Sequence, residues 1–421
     1  MKRYNREAKG GYYTPSFLTM NIDSNENFED IMTAKGVSER SEALFLHEYI
    51  HFLQDITSVS GLVNICVVVD YMKWATNITK QGVLKVPCIP VIEDGKNLLP
   101  NAQLKKICTG SGTLKDSYDN PIVWQETLGV HLEKAGTTID WKYIEADLQL
   151  VIEIKATNGN IYSYHVGEHC ISETMAYMIE NTIYNNVIES PSDFPYRVVN
   201  YVCDYLMPGF SQDPLNVIAL CDACLMHSFP GRALYYGLNI LKKYENLTPE
   251  GVYNIMVSPQ LLQETGVPQN LTIEHLLKIR KDDAVNQMSG YFTANYDSMI
   301  TWTTQMLEAA YAIRMTNPYF MLEIARGRDI RNNKAFIDVL NEIGCPVIMN
   351  NQNNMVYIRN NNIKDNVHPP VFNVISQIYS IMNRNVLEHN TYKCQLMDWC
   401  HKDFLTTGQK DLTTDGDSCR Y

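Results

Sequence analysis

The stretch LFLHEYIHFLQD, Leu44 to Asp55, decides how this 421-residue chain is read. It combines a strongly apolar run with three ionisable residues at fixed spacing: His47, Glu48 and His51. Apolar residues recur at helical intervals through Leu44, Phe45, Ile50 and Leu53. Upstream, Ser38-Glu-Arg-Ser41 offers cap chemistry after Gly36. Together these predict a helix over about residues 39–56. On a helix, residues four apart lie about 40° apart around the axis and one turn above each other. Two imidazoles so placed reach one tetrahedral metal from the same face. Glu48 stands about 100° from His47, close enough to touch a metal-activated water without ligating the ion. In so apolar a helix the histidines and the carboxylate need partners, and a metal ion satisfies all three.

A catalytic zinc site takes three protein ligands and keeps one open position. HEYIH is followed by FLQDITSVSG, with no third histidine nearby, so the third ligand has to come from elsewhere. Glu173 in CISETMAYMIE is the leading candidate: it sits mid-helix among apolar residues, where a lone carboxylate is costly. Ala176 would let that helix pack closely against the first. Glu168, His169 and Glu180 are rivals for the same role. Asp55 or Glu180, or a backbone carbonyl, can orient a ligating imidazole.

The two helices resemble the gluzincins, zinc peptidases of the zincin group with HExxH on one helix and a Glu ligand on a later one. The resemblance implies one catalytic zinc ion held by His47, His51 and Glu173, with Glu48 as general base. It covers about a tenth of the chain. Two departures stand out. The gap between His51 and Glu173 is 121 residues (173 − 51 − 1), and the place four residues after Glu173 holds Tyr177 rather than an Asp.

Around this centre the chain predicts an α+β fold: a mainly helical zincin-like metalloprotease core, a β-rich insertion and a helical C-terminal region. Residues 1–245 form the catalytic region and 246–421 the second. A buried helix follows the first over 62–76. From about 82 to 164 the pattern turns to β-type runs such as VLKVPCIPVI and YIEADLQLVIEIKA, with a hairpin turn at Asn158-Gly159. This mainly antiparallel element is expected beside the HEYIH helix, where the resemblance to zincins implies an edge strand that aligns substrate backbone. The third-ligand helix spans about 168–188, and further helices cover 194–206, 214–228 and 231–244. A hairpin-like interruption lies at PVIMNNQNNMVYIRN, around Gln352-Asn353.

Composition excludes other classes. The net charge is −12 and no long basic run occurs, so nucleic acid is not an expected partner. The N-terminal MKRYNREAKGGYYTP lacks a signal-peptide core, and Val59–Val69 is too short to span a bilayer, so no membrane partner is expected. The odd count of eleven cysteines fits a reducing compartment, and the expected location is cytoplasmic. Cys221-Asp-Ala-Cys224 reads as two buried small residues. Cys394, Cys400, His401 and Cys419 match no common zinc-finger spacing. His227, Arg232, Tyr235 and Tyr236 lie in a stretch able to face the cleft, and nothing selects among them as an oxyanion donor. The expected activity is metal-dependent hydrolysis of a protein or peptide substrate. A zinc hydrolase acting on another bond, and a non-catalytic zincin fold with a binding or regulatory role, are the alternatives.

Overall fold

The computed structural model describes residues 11–14, 19–33, 35–80, 107–111, 122–134, 148–185, 187–188, 192–291, 297–352 and 355–356. The fold is mainly helical α+β with two small sheets. The chain enters through strands β1 (Gly11–Thr14) and β2 (Thr19–Ile22), antiparallel with Tyr12 opposite Asn21 and Tyr13 opposite Met20.

Helix α1 (Glu39–Thr57) follows. The Ser38 side chain accepts from the Ser41 N–H, and Glu39 and Glu42 place negative charge in the first turn, where orphan N–H groups welcome it. Nearly every residue of α1 is buried, on all sides of the helix. Phe45, Tyr49, Phe52 and Leu53 are fully enclosed, and each such side chain contributes about 1.5–3 kcal/mol on leaving water. His47 and His51 are the interior exceptions, each 12% exposed, and they mark where the core opens. At Ser58 the backbone turns extended and the chain bends by 82° into α2 (Val59–Lys80). Gly61 makes that corner possible, because a Cβ there would sit 2.3 Å from the Asp55 carbonyl oxygen.

The β-rich stretch forms a three-stranded antiparallel sheet of β3 (Trp124–Lys134), β4 (Leu148–Ala156) and β5 (Ile161–Val166), in that order. The Asn158-Gly159 turn joins β4 to β5, with Gly159 at φ +82°, where a side chain would be strained. The VLKVPCIPVI run lies outside the described residues. The sheet does not take the place expected for it beside α1. It packs chiefly on α3 (Glu168–Tyr184), α4 (Val198–Leu206) and α6 (Pro230–Leu241), and the strand beside Glu48 is instead β1. The apolar faces of β4, with Ile152 and Ile154 fully buried, find their cover on those later helices.

Helix α3 lies against α1 and ends at Asn185, which adopts a left-handed conformation (φ 44°) and returns its N–H to the Asn181 carbonyl. Behind it stands α5 (Pro214–Leu225), capped by the Asp213 side chain with Pro214 in its first turn. α5 carries Asp222, which is buried. Arg314, from the later helix Asp297–Thr316, grips that carboxylate with two bonds of 2.7 and 2.8 Å. The same guanidinium donates to the Thr57 carbonyl at 3.2 Å and to its hydroxyl at 3.1 Å. The C-terminal end of α1 is thus tied to two distant helices through one buried ion pair.

The last described segments are the helix Lys334–Ile343 and strands β6 (Val347–Met349) and β7 (Met355–Val356). β6 and β7 are antiparallel, as the hairpin-like pattern suggests, but β6 also joins β2 in parallel, giving the order β1-β2-β6-β7. Residues 357–421 lie outside the described residues, and with them Cys394, Cys400, His401 and Cys419. Among the described residues no single helix is long and apolar enough to cross a membrane.

Candidate metal centre

His47 and His51 leave α1 one turn apart and point the same way, toward Glu173 of α3. Their ring planes stand 76° apart with centroids 4.9 Å from each other. The two Nε2 atoms are 3.3 Å apart. Glu173 Oε2 lies 3.6 Å from His47 Nε2 and 3.4 Å from His51 Nε2. The three atoms therefore form a nearly equilateral triangle, and these residues are a group that could hold a metal ion. No other such group occurs among the described residues.

The side lengths discriminate between two accounts of the triangle. Charge-assisted hydrogen bonds between imidazolium and carboxylate close to about 2.7–2.9 Å, and both contacts to Glu173 exceed that. Three donors placed tetrahedrally about 2.0–2.2 Å from one centre stand about 3.3–3.6 Å from one another, which is the spacing found. The residues present therefore fit a metal ion bound through two imidazoles and a carboxylate.

Both imidazoles are held from behind by Nδ1. His47 Nδ1 lies 3.0 Å from Glu180 Oε2, and His51 Nδ1 lies 2.8 Å from Gln54 Oε1. An acceptor at Nδ1 places the ring hydrogen there and leaves the Nε2 lone pair facing the centre of the triangle. Glu180, a rival for third ligand, is thus an orienting group. Glu168 points elsewhere and accepts a hydrogen bond from Asn64 Nδ2. His169 is nearer: its Nδ1 lies 3.9 Å from Glu173 Oε1, the oxygen turned away from the triangle, and it is 33% exposed. Asp55 accepts the Tyr13 hydroxyl at 2.8 Å, so it holds β1 and not an imidazole.

Glu48 is only 5% exposed and accepts the backbone N–H of Tyr13. Burial pushes its carboxyl above the usual range, while His47 and His51 pull it partly back. Gly11, two residues before Tyr13, packs so closely that a Cβ there would be 3.3 Å from Glu48 Oε1. Burial acts to lower His47, but the neighbouring Glu173 and Glu180 carboxylates, which can only accept, outweigh it and hold the imidazole well above its ordinary value. The same contest raises His51, with Glu173 as the dominant partner. Glu173 is buried too, yet His51 and His47 hold it well below the ordinary carboxylate range.

The wall beside His47 comes from Tyr196, which the sequence pattern did not single out, and from Tyr177, which it marked only as a departure from the resemblance. Tyr196 approaches with ring centroids 6.2 Å apart, and Tyr177 stands 6.2 Å beyond it. Arg197 donates to the Tyr177 hydroxyl at 3.4 Å. Tyr177 is one turn after Glu173, a signal the sequence did contain. Of the stretch expected to face the cleft, His227 is fully buried, with Nε2 donating to the Met256 carbonyl at 2.8 Å and Nδ1 3.2 Å from the Thr265 hydroxyl. Burial pulls it down to about 4, so it is a neutral core residue. Arg232 is likewise buried, with its guanidinium 5.5 Å from the Phe229 ring centroid. Cys221 and Cys224 are fully buried thiols raised well above their ordinary value, chiefly by burial. Every described cysteine is a free thiol.

Comparison with protein-family models, with curated proteins and with solved structures finds no match to this chain.

Proposed function

We propose that this chain is a zinc-dependent metallopeptidase of the zincin type, with His47, His51 and Glu173 holding one zinc ion. The observation that carries the reading is the triangle of Nε2, Nε2 and Oε2 atoms at 3.3–3.6 Å with Glu48 packed beside it. A bound zinc ion supplies Lewis acidity, lowering the pKa of a water and polarising a substrate carbonyl.

The remaining work falls to the chain. Glu48 accepts the proton of the attacking water and passes it to the leaving group. Its burial suits that task, because a carboxyl raised above its ordinary value takes up a proton more readily. The Tyr13 N–H holds Glu48 in place, and Glu180 and Gln54 keep the two imidazoles in the ligating tautomer. The peptide substrate is inferred from β1. In an antiparallel pair N–H and C=O of one residue point to the same side, so the Tyr13 N–H to Glu48 turns alternate groups of β1 away from β2 and toward the site. An extended backbone can pair there.

The test is cleavage of a peptide library by the zinc-loaded protein, read by mass spectrometry. Glu48→Gln should keep zinc and fold and lose at least about two to four powers of ten in rate. Cleavage by this variant at the wild-type rate refutes the mechanism.

A further inference from the structure

Gln54 does something at this centre that a simple orienting acceptor does not. It is 4% exposed and uses both ends of its amide: Oε1 lies 2.8 Å from His51 Nδ1, and Nε2 donates to the Ser172 carbonyl at 3.1 Å. The second bond crosses from α1 to α3 and lands on the residue immediately before Glu173.

The chemistry of the partners fixes the amide's orientation. A carbonyl oxygen only accepts, so the amide nitrogen has to face Ser172, and the amide oxygen has to face His51. An oxygen at that position requires a hydrogen on Nδ1. In its neutral, metal-binding form His51 therefore presents the Nε2 lone pair to the triangle. His47 is held differently, by the charged carboxylate of Glu180, an acceptor only.

We propose that Gln54 is a positioning residue for the metal centre, a strap that sets the ligating tautomer of His51 and, through Ser172, the register of the helix carrying Glu173. One neutral side chain thereby couples two of the three ligands across the α1–α3 interface. The assignment rests on the metal-site reading above. It also explains why a neutral amide stands at position 54: a carboxylate there keeps the acceptor for His51 but sets oxygen against the Ser172 carbonyl with no hydrogen between them.

That difference separates the two halves of the strap. Gln54→Glu keeps the acceptor and loses the donor; Gln54→Met loses both at similar volume; Gln54→Asn is too short to span both partners. Each variant and the wild-type protein are stripped of metal and titrated with zinc against a chromophoric chelator. Melting temperatures are measured with and without zinc, and the cobalt(II)-loaded forms are compared by visible absorption. All three variants are expected to lose about 10–100-fold in zinc affinity, the range typical of groups that orient metal ligands. The zinc-dependent rise in melting temperature should shrink with it, and the cobalt bands should change in intensity or position. Wild-type affinity in Gln54→Glu overturns the strap, leaving a tautomer-setting role alone. Unchanged affinity in Gln54→Met and Gln54→Asn, with a lowered metal-free melting temperature, makes the residue one of packing only and overturns the proposal. Failure of the wild-type protein itself to take up zinc removes the metal-site reading, an outcome distinct from either.

Discussion

Zinc should stabilise this protein by an amount that can be set in advance, and should do so through His51. The donor triangle has the spacing that a bound zinc ion requires. With free zinc buffered at a thousand times its dissociation constant, linkage adds about 4 kcal/mol to the folded state. Unfolding entropy of about 2.1 cal/mol/K per residue over 421 residues amounts to about 0.9 kcal/mol/K. The expected rise in melting temperature is therefore about 5 °C. Held at that same free-zinc concentration, the rise should depend on pH, because the dissociation constant does. In the metal-free protein His47 and His51 titrate above their ordinary 6.5 and Glu173 below its ordinary 4.5. The raised histidines give stability that is complete below 6.5 and is lost as pH climbs through their folded values. The depressed Glu173 gives stability present above 4.5 and lost as pH falls through its folded value. The metal-free cluster is thus best satisfied between about 4.5 and 6.5, and zinc has to displace protons there. The zinc-induced rise should be small at pH 6 and grow toward pH 8. Scanning calorimetry in metal-buffered solution reads both quantities. No rise with zinc, or the same rise in His51→Ala, refutes the reasoning.

Two further substitutions test the frame around the site. Arg314→Met leaves the Asp222 carboxyl without its guanidinium in the core and frees the Thr57 carbonyl, which should cost about 3–5 kcal/mol; a loss under about 1 kcal/mol in denaturant titration contradicts the buried clamp. Gly11→Ala drives a Cβ to 2.6 Å from the Asn21 carbonyl oxygen and 3.3 Å from Glu48 Oε1, at a φ of +154°. It should shift β1 and lower turnover by tenfold or more while zinc affinity stays near wild type, so equal losses in both measurements argue against a specific effect on the base.

Most of α1 and much of the candidate site were legible because helical spacing is a local property. His47 and His51 share a face, with Glu48 about 100° away, through geometry that five consecutive residues impose, and the Ser38 cap begins the same helix. Glu173 was legible for a different reason: a carboxylate among Met175, Ala176 and Ile179 demands a partner. What escaped the sequence depends on long-range pairing. The short pattern GYYT carries no sign that it will lie against Glu48, nor PVIM that it will pair in parallel with Thr19–Asn21, because register between strands is set by partners hundreds of residues away. The sheet from β3 to β5 could be recognised by alternation and by its Asn-Gly turn, but alternation says only that one face is covered. It does not say that later helices, and not α1, cover it. Gln54 was not singled out by the sequence pattern, because its reach to Ser172 required the packing of α3.

The charges at the centre add a constraint on what the site can hold. Glu48, Glu173 and Glu180 surround two imidazoles, all largely shielded from water. With both imidazoles protonated and the carboxylates ionised, the group carries −3 + 2 = −1. With both imidazoles neutral and one dication bound, the sum is again −1. Metal and protons are thus interchangeable without leaving uncompensated charge in a low-dielectric interior, where such charge is expensive. A monovalent ion leaves the group at −2 and a trivalent ion brings it to zero, so both change a balance that the buried groups are already built around. The same arithmetic explains how helix α1 can be enclosed on nearly every side and still present histidines inward. In the absence of metal, Glu173 and Glu180 raise the proton affinity of His47, and Glu173 raises that of His51. Acid should therefore displace zinc well before it unfolds the chain, because each proton that enters takes over part of the charge the ion supplied.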